Sequence, residues 1–282
     1  MQRFTPILAA LAAFAATPLV AQEDRRLNHM IEKLEAGEAV QGVFYNTLDF
    51  NSVRAAGRSD LDYVIIDMEH HPLDVTALRQ VLANLRQPDG SFQVTPIVRI
   101  PLNGEEVHMN RWLFKQVLDV GVMGIMVPFV NTADQAREAV ISTRYPPTID
   151  DAAPEPHGMR GWSPGVAAAT WGITTAEYAP KADVWPLDPG GEIIIIPQIE
   201  TPEAIANLDE IMAVPGVGAL FIGPADLHNN NGYLGQSGVA EVEAQIQEAL
   251  AKADAVNMPI GLTPAGSTLQ DRLDQGFRVM TR

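Results

Sequence analysis

The most informative polar residues of this sequence stand where short apolar runs end. Glu200 closely follows the run at 193–198, and Asp226 follows the next run, at 217–223. Carboxylates and water are ligands that suit Mg²⁺ and Mn²⁺, so two neighbouring carboxylates could hold one divalent ion and leave coordination positions open for a substrate. Each residue also has a structural interpretation, Glu200 as the cap of a following helix and Asp226 as a turn residue.

Three further ionisable residues end or follow earlier apolar runs: Arg99, Asp67 and His70. The planar guanidinium of Arg99 suits a carboxylate or an enolate oxygen, and a structural ion pair with Asp67 or Glu69 is the alternative. The carboxylate of Asp67 could hold the His70 imidazole for proton transfer, because histidine titrates near neutrality. The adjacent His71 precedes a proline and is interpreted as a loop residue.

The elements that must position these residues alternate between short β-rich runs and helical patterns, which predicts a parallel sheet. Several runs are apolar throughout, as expected for strands covered on both faces. The predicted strands are 41–45, 63–67, 95–99, 124–127, 193–198, 217–223, 259–262 and 277–280, and the predicted helices are 73–85, 105–120, 132–143, 202–212 and 239–255. Eight alternations in this length favour a TIM (β/α)₈ barrel over an open dinucleotide-binding sheet, whose Gly-x-Gly-x-x-Gly fingerprint is missing. In such barrels the reactive groups lie at the carboxyl ends of the strands.

Two features of the predicted barrel depart from the regular alternation. The segment 145–191 is long and rich in Pro and Gly, which is typical of a functional loop such as a lid. The last strand is followed almost directly by Arg282, so we expect a barrel that lacks its final helix. One flank would then be uncovered unless a neighbouring subunit fills it, and we expect a homo-oligomer.

The amino terminus predicts export. Residues 1–21 combine one positive charge, a short apolar stretch and a small residue, Ala21, before a polar segment, which is the pattern of a cleaved signal peptide. Residues 22–282 would form a single catalytic barrel domain, located in the periplasm and not bound to a membrane after processing. A net charge of −16 disfavours binding to nucleic acid.

Several chemistries are excluded by residue type. The chain has no cysteine, hence no disulfide, thiolate nucleophile or Cys-based zinc site. Ser163 lies in a pattern similar to a serine-hydrolase elbow, but Pro164 has no N–H to offer an oxyanion. An imine-forming aldolase needs a lysine inside the barrel, and all lysines fall in helical or loop patterns: Lys33, Lys115, Lys181 and Lys252. A metal would therefore have to replace the imine as electron sink.

With these residues placed, the chain from about Gly42 to Gly276 resembles the HpcH/HpaI family of metal-dependent pyruvate aldolases, also called the aldolase/citrate lyase family. The motifs that carry the resemblance are Asp67-Met68-Glu69-His70, Pro96-Ile97-Val98-Arg99, Lys115-Gln116-Val117-Leu118-Asp119-Val120-Gly121, Arg144-Tyr145-Pro146-Pro147, Gln198-Ile199-Glu200 and Phe221-Ile222-Gly223-Pro224-Ala225-Asp226-Leu227. In order along one chain, this set is specific.

The resemblance implies a role for each matched residue. Glu200 and Asp226 would bind a divalent Mg²⁺, Mn²⁺ or Co²⁺ ion, and Arg99 would steady a pyruvate enolate. His70 with Asp67 would act on a water that relays a proton. The substrate would lie beside Gln198 and the segment Gly223, Pro224 and Ala225, whereas Asp119 matches a family acid near the aldehyde, although its pattern is that of a helix residue. The segment from His157 to Gly161 resembles a family loop that forms part of a lid or a subunit contact.

The implied reaction is reversible aldol cleavage of a 4-hydroxy-2-oxo acid, similar to 4-hydroxy-2-oxoheptanedioate, to pyruvate and an aldehyde. Two other functions stay open: a malyl- or citryl-CoA-type lyase or thioesterase on the same metal site, and a non-catalytic exported protein that binds oxo acids. His228 replaces the small polar residue usual in the family. It could add a ligand, narrow the pocket or point to solvent.

Overall fold

The computed structural model describes residues 26–46, 49–149 and 153–282, and the predicted signal peptide lies outside them. The strands are β1 (Val40–Tyr45), β2 (Tyr63–Asp67), β3 (Thr95–Arg99), β4 (Gly124–Val127), β5 (Val184–Trp185), β6 (Ile193–Ile199), β7 (Leu220–Ile222), β8 (Ile260–Leu262) and β9 (Val279–Thr281). The helices are α1 (His29–Glu35), α2 (Phe50–Ala56), α3 (Val75–Leu85), a 3₁₀ helix (Gly104–Met109), α4 (Arg111–Asp119), α5 (Ala133–Thr143), α6 (Gly165–Trp171), α7 (Thr175–Lys181), α8 (Pro202–Ala206), α9 (Leu208–Met212), α10 (Pro224–Asn230), α11 (Ala240–Ala255) and α12 (Leu269–Gln275).

Eight of the strands close a parallel barrel. Neighbours pair in order from β1 to β4, β4 pairs with β6, and the order continues until β9 pairs with β1. The two-residue strand β5 pairs with β6 outside this ring. The predicted TIM barrel is therefore confirmed.

The barrel interior is filled by apolar side chains that alternate along the strands, as in other barrels of this kind. Tyr63 is fully buried there and donates its hydroxyl to the carbonyl of Met280 at 2.6 Å. A Cβ on Gly42 of β1 would lie 2.3 Å from the Tyr63 ring, so glycine at this position makes room for that ring. At the amino end of the barrel, α1 buries Met30 and Ile31 against the same interior cluster. This leaves the carboxyl end as the open mouth.

Three predicted segments differ in detail from the structure. The helix expected at 105–120 is divided at Asn110, whose side-chain amide donates to the carbonyl of Glu106 and ends the 3₁₀ helix before α4 begins. The helix expected at 202–212 is divided at Asn207, which donates to the carbonyl of Asn131 at 2.8 Å. The segment 145–191, which the sequence predicts as a long loop, contains α6, α7 and β5 in its described part, and these pack into the outer layer. No helix within 26–46, 49–149 or 153–282 combines the length and apolarity needed to cross a membrane.

Candidate active site at the carboxyl ends of the strands

The polar residues that were predicted to share the barrel mouth do end neighbouring strands. Asp67 is the last residue of β2 and lies in register with Arg99, the last residue of β3. Glu200 directly follows β6, and Asp226 lies in the first turn of α10, the helix after β7. Since parallel strands present their carboxyl ends at one edge, the chain folds these four side chains toward one region.

Arg99 is fixed by two acids and an aromatic ring. Its Nε and Nη2 donate to the two carboxylate oxygens of Asp67 at 2.9 and 2.8 Å, and its Nη1 lies 3.0 Å from Oε2 of Glu69. The guanidinium carbon also stands 4.6 Å from the centre of the Phe44 ring. Burial opposes ionisation of Asp67, but the bonds from Arg99 hold the pKa of that carboxyl below its usual value. The ion pair that the sequence left as an alternative for Arg99 is thus present.

The side chains of Asp67 and His70 are not paired. Both oxygens of Asp67 accept from Arg99, and the His70 ring, 61% exposed, places its Nε2 3.5 Å from Oε2 of Glu69. It is His71 that lies nearer Asp67, with 3.8 Å between its Nε2 and Oδ2. The physical reason is that Arg99 stands in register beside Asp67, whereas His70 is carried away by the turn that follows β2.

Glu200 is the most deeply buried carboxylate of the mouth, with 1% of its surface exposed. Its Oε1 accepts the backbone N–H of Phe129 at 3.2 Å, and its Oε2 lies against Gly223, where an added Cβ would come within 2.4 Å. Burial raises the pKa of Glu200 well above its usual value, and the charges of Asp226 and Glu69 raise it further. A positive charge bound beside this carboxylate would favour its ionised form.

Phe129 was not foreseen from the sequence. Its φ of 50° places it in the left-handed region, which is uncommon for a residue with a bulky side chain. This conformation accompanies the N–H bond to Glu200, and strained backbone of this kind is often found at functional sites. Glycine or asparagine would have signalled such a turn, but phenylalanine does not.

The mouth holds more negative than positive charge. Burial raises the pKa of Glu69, to which the charges of Asp67 and Asp226 also contribute, and Arg99 opposes the shift. In the part of the chain that the structure describes, no set of three His, Asp or Glu side chains is close enough to hold a metal ion by itself. An ion on Glu200 and Asp226 would therefore need oxygen ligands from water or substrate.

The groups around the two carboxylates fit such an ion. The donors are all oxygen, which is the preference of Mg²⁺ and Mn²⁺. Gln198, two residues before Glu200, lies on β6 and is 2% exposed, and its buried Oε1 has no hydrogen-bond partner among the residues that the structure describes. Gly223 and Pro224 begin α10 beside Glu200, and Ala225 is exposed. Thus the predicted substrate segment borders the acidic site.

Asp119 is not brought to this mouth within the chain. It ends α4, from which the chain turns through Gly121 into the start of β4, at the amino end of the barrel. Its Oδ1 accepts from Nη2 of the buried Arg160 at 2.8 Å, and burial raises the pKa of the Asp119 carboxyl despite that bond. Its role near an aldehyde stays a prediction.

His228 is buried rather than solvent-exposed. Its Nδ1 donates to the carbonyl of Pro224 at 2.6 Å, and its Nε2 accepts the backbone N–H of Val239 at 3.3 Å. With both ring nitrogens occupied by backbone groups, neither is free to ligate an ion. The lysines all lie in α1, α4, α7 and α11, so none lines the barrel interior.

Fold and site together define a barrel enzyme whose oxygen-rich, acidic centre stands beside a fixed arginine at the strand ends. The sequence profile of the HpcH/HpaI aldolase/citrate lyase family matches residues 41–269, and the chain belongs to that family. It is an enzyme of the aldolase type.

Relatives and a solved structure agree with this assignment. The chain is 34% identical to the "Hydroxypyruvate/pyruvate aldolase" of Roseobacter denitrificans over 89% of both chains. It is also 34% identical to the "2-dehydro-3,6-dideoxy-6-sulfogluconate aldolase" of Pseudomonas putida over 86% of both. The crystal structure of a family member from Burkholderia cenocepacia superposes with a TM-score of 0.76 at 28% identity, covering 90% of this chain and 91% of that one.

Proposed function

We propose that the protein is a metal-dependent lyase that reversibly cleaves a 4-hydroxy-2-oxo acid to pyruvate and an aldehyde. The observation that carries the proposal is that the Glu200 carboxyl is buried beside Asp226, where it accepts a backbone N–H and has a raised pKa. The fixed guanidinium of Arg99 stands next to it. The names of the Roseobacter and Pseudomonas relatives support an oxo-acid aldol reaction.

The acidic and basic residues of the mouth have different roles in this proposal. Glu200 and Asp226 would hold Mg²⁺, Mn²⁺ or Co²⁺, and such an ion supplies Lewis-acid stabilisation of negative charge developing on the substrate. Arg99 orients the substrate carboxylate, because Asp67 and Glu69 hold its plane in one position.

Proton transfer falls to the residues at the rim. The exposed His70 is accessible to a water that takes the C4 hydroxyl proton when the C3–C4 bond breaks. The free Oε1 of Gln198 is available to a donor on the substrate or on water. The aldehyde leaves through the open carboxyl end.

Proton exchange tests the proposal without knowledge of the aldehyde. With pyruvate and Mn²⁺ in D₂O, NMR is expected to show loss of the methyl proton signal, and EDTA should stop that loss. Glu200→Ala and Asp226→Ala should each abolish exchange. Exchange that continues at the wild-type rate in either variant would rule out the metal assignment. A screen of aldehydes with pyruvate would then identify the second substrate.

The same assays separate the other functions. Metal binding without proton exchange or aldol cleavage would indicate an oxo-acid-binding protein. Turnover that requires CoA esters would indicate a malyl- or citryl-CoA-type lyase or thioesterase. The net charge of −16 and the small number of lysines disfavour recognition of CoA phosphates.

Export and assembly belong to the proposal as well. The pattern at 1–21 supports a periplasmic location, which N-terminal sequencing of the protein from a periplasmic fraction would test. A homo-oligomer is supported by two exposed tryptophans, Trp112 (47%) and Trp162 (61%). Trp112 is on α4 with Lys115, and Trp162 follows Gly161, where an added Cβ would lie 3.3 Å from the Lys115 side chain. Light scattering of wild type and Trp162→Glu would reveal whether the surface at Trp162 joins two copies.

A further inference from the structure

The run from His228 to Asn231 comes directly after the candidate ligand Asp226 and Leu227, and its polar side chains hold particular parts of the fold. His228 accepts the N–H of Val239, and Asn229 accepts the N–H of Gly235 at 3.1 Å, so both hold the loop between α10 and α11. Asn231 exchanges two hydrogen bonds with Gln245 of α11, at 3.0 and 2.9 Å. These three residues therefore fasten α10 to that loop and to α11.

Asn230 makes a different connection. Its Nδ2 donates to the backbone carbonyl of Asp226 at 2.9 Å and to the backbone carbonyl of Glu200 at 3.1 Å. The first bond runs within α10, and the second crosses from α10 to the end of β6. One amide group therefore joins the two backbone positions that carry the candidate ligands.

We propose that Asn230 is a positioning residue that sets the separation of the Glu200 and Asp226 carboxylates and thereby the affinity for a divalent ion. This inference rests on the proposed function. Strand β6 and helix α10 are separate elements. They are also linked through β7, which pairs with β6, and by the bond from the N–H of Gly223 to the carbonyl of Ile199 at 3.3 Å, but the Asn230 amide directly joins the two residues that carry the carboxylates. Removal of a group that hydrogen-bonds to a metal-binding residue and orients it typically weakens metal binding by about 10- to 100-fold.

A set of small substitutions isolates the cross-element bond. Asn230→Ala removes both bonds. Asn230→Ser keeps a hydroxyl that can return to the carbonyl of Asp226 four residues earlier, but it is too short to reach Glu200. Asn229→Ala is the matched control, because it removes another exposed asparagine of the same helix, one whose side chain accepts the N–H of Gly235 in the loop.

Calorimetric titration of each metal-free protein with Mn²⁺ gives the result directly. We expect Asn230→Ala and Asn230→Ser to bind about tenfold more weakly than wild type. Asn229→Ala should match wild type, and the thermal midpoints of all three variants should stay close to the wild-type value. In pyruvate proton exchange the Asn230 variants should need about tenfold more Mn²⁺ for half-maximal rate, with a nearly unchanged rate at saturation.

Different results would contradict the inference and the proposed function. Binding of Mn²⁺ by Asn230→Ala with wild-type affinity would overturn the inference and leave the proposed function standing. Equal weakening in Asn230→Ala and Asn229→Ala would assign the effect to helix stability and would also overturn it. If wild type binds no Mn²⁺, the metal assignment fails and the inference fails with it.

Discussion

Gly223→Ala tests the geometry of the site without changing any charged group. Gly223 has a φ of −94°, which alanine adopts without strain. The added Cβ would lie 2.4 Å from Oε2 of Glu200, 2.8 Å from its Cδ and 2.9 Å from its Cγ. Because non-bonded heavy atoms prefer about 3.5 Å or more, the carboxylate would have to move by about 1 Å.

Glu200 has little room for that movement, since it is 1% exposed and its other oxygen is held by the N–H of Phe129. A misplacement of about 1 Å in a reacting group can lower the rate by about 100-fold. We therefore expect Gly223→Ala to exchange pyruvate protons about 100-fold more slowly and to bind Mn²⁺ at least about tenfold more weakly.

Gly165→Ala is the matched control, because a Cβ at that position, in the first turn of α6, meets no heavy atom within 4 Å. Calorimetry with Mn²⁺ and the exchange assay should find it equal to wild type. If Gly223→Ala folds normally and keeps both wild-type affinity and wild-type rate, Glu200 does not act from the position described, and the reasoning is refuted.

Two further substitutions examine the charge of the mouth. Glu200→Gln keeps an oxygen for the Phe129 N–H and replaces a buried carboxyl group, whose ionisation burial disfavours, by a neutral amide. The metal-free protein should therefore gain about 1–3 kcal/mol in its free energy of unfolding at neutral pH, measured with urea. Because the pKa of Glu200 is raised in the folded state, Glu200 destabilises the fold increasingly as pH rises from the ordinary glutamate range through the raised pKa. The stabilisation by Glu200→Gln should therefore shrink on acidification. A stabilisation that does not depend on pH would contradict this. Arg99→Lys keeps the charge but loses the two hydrogen bonds from the guanidinium to the Asp67 carboxylate, so the rate of proton exchange should fall by about 100-fold. A rate within about twofold of wild type would show that the planar guanidinium is not needed.

The sequence predicted the barrel because its strands are apolar to their last residues and repeat with helices between them. Asp67, Arg99, Glu200 and Asp226 could be placed at one end for the same reason, since the carboxyl ends of all strands in a closed parallel sheet meet there. The spacing could not tell which of these groups would pair. Asp67 pairs with Arg99 because β2 and β3 place them in register, a relation that depends on the strand offset and is not visible in the order of residues.

Other parts of the site leave no signal in residue type. The N–H bond to Glu200 requires Phe129 to adopt a positive φ that the rest of the fold imposes. His228 could have been a ligand by its type and place, and only its contacts with Pro224 and Val239 exclude that role. By resemblance Asp119 matches a family acid near the aldehyde, yet it ends α4, at the amino end of the barrel.

The charge of the mouth connects these observations. Asp67 and Glu69 pair with the guanidinium of Arg99, whose bonds hold the pKa of Asp67 below its usual value despite burial. Burial raises the pKa values of Glu69 and Glu200, and the charge of Asp226 raises both further. For folding alone, a buried carboxylate with a single backbone N–H donor is a disadvantage that an apolar residue would remove. A cation that binds between these oxygens relieves the repulsion and makes the same burial useful, because charges interact more strongly where water is excluded. The repulsion among these buried carboxylates and the capacity to stabilise negative charge on a substrate thus have one physical cause.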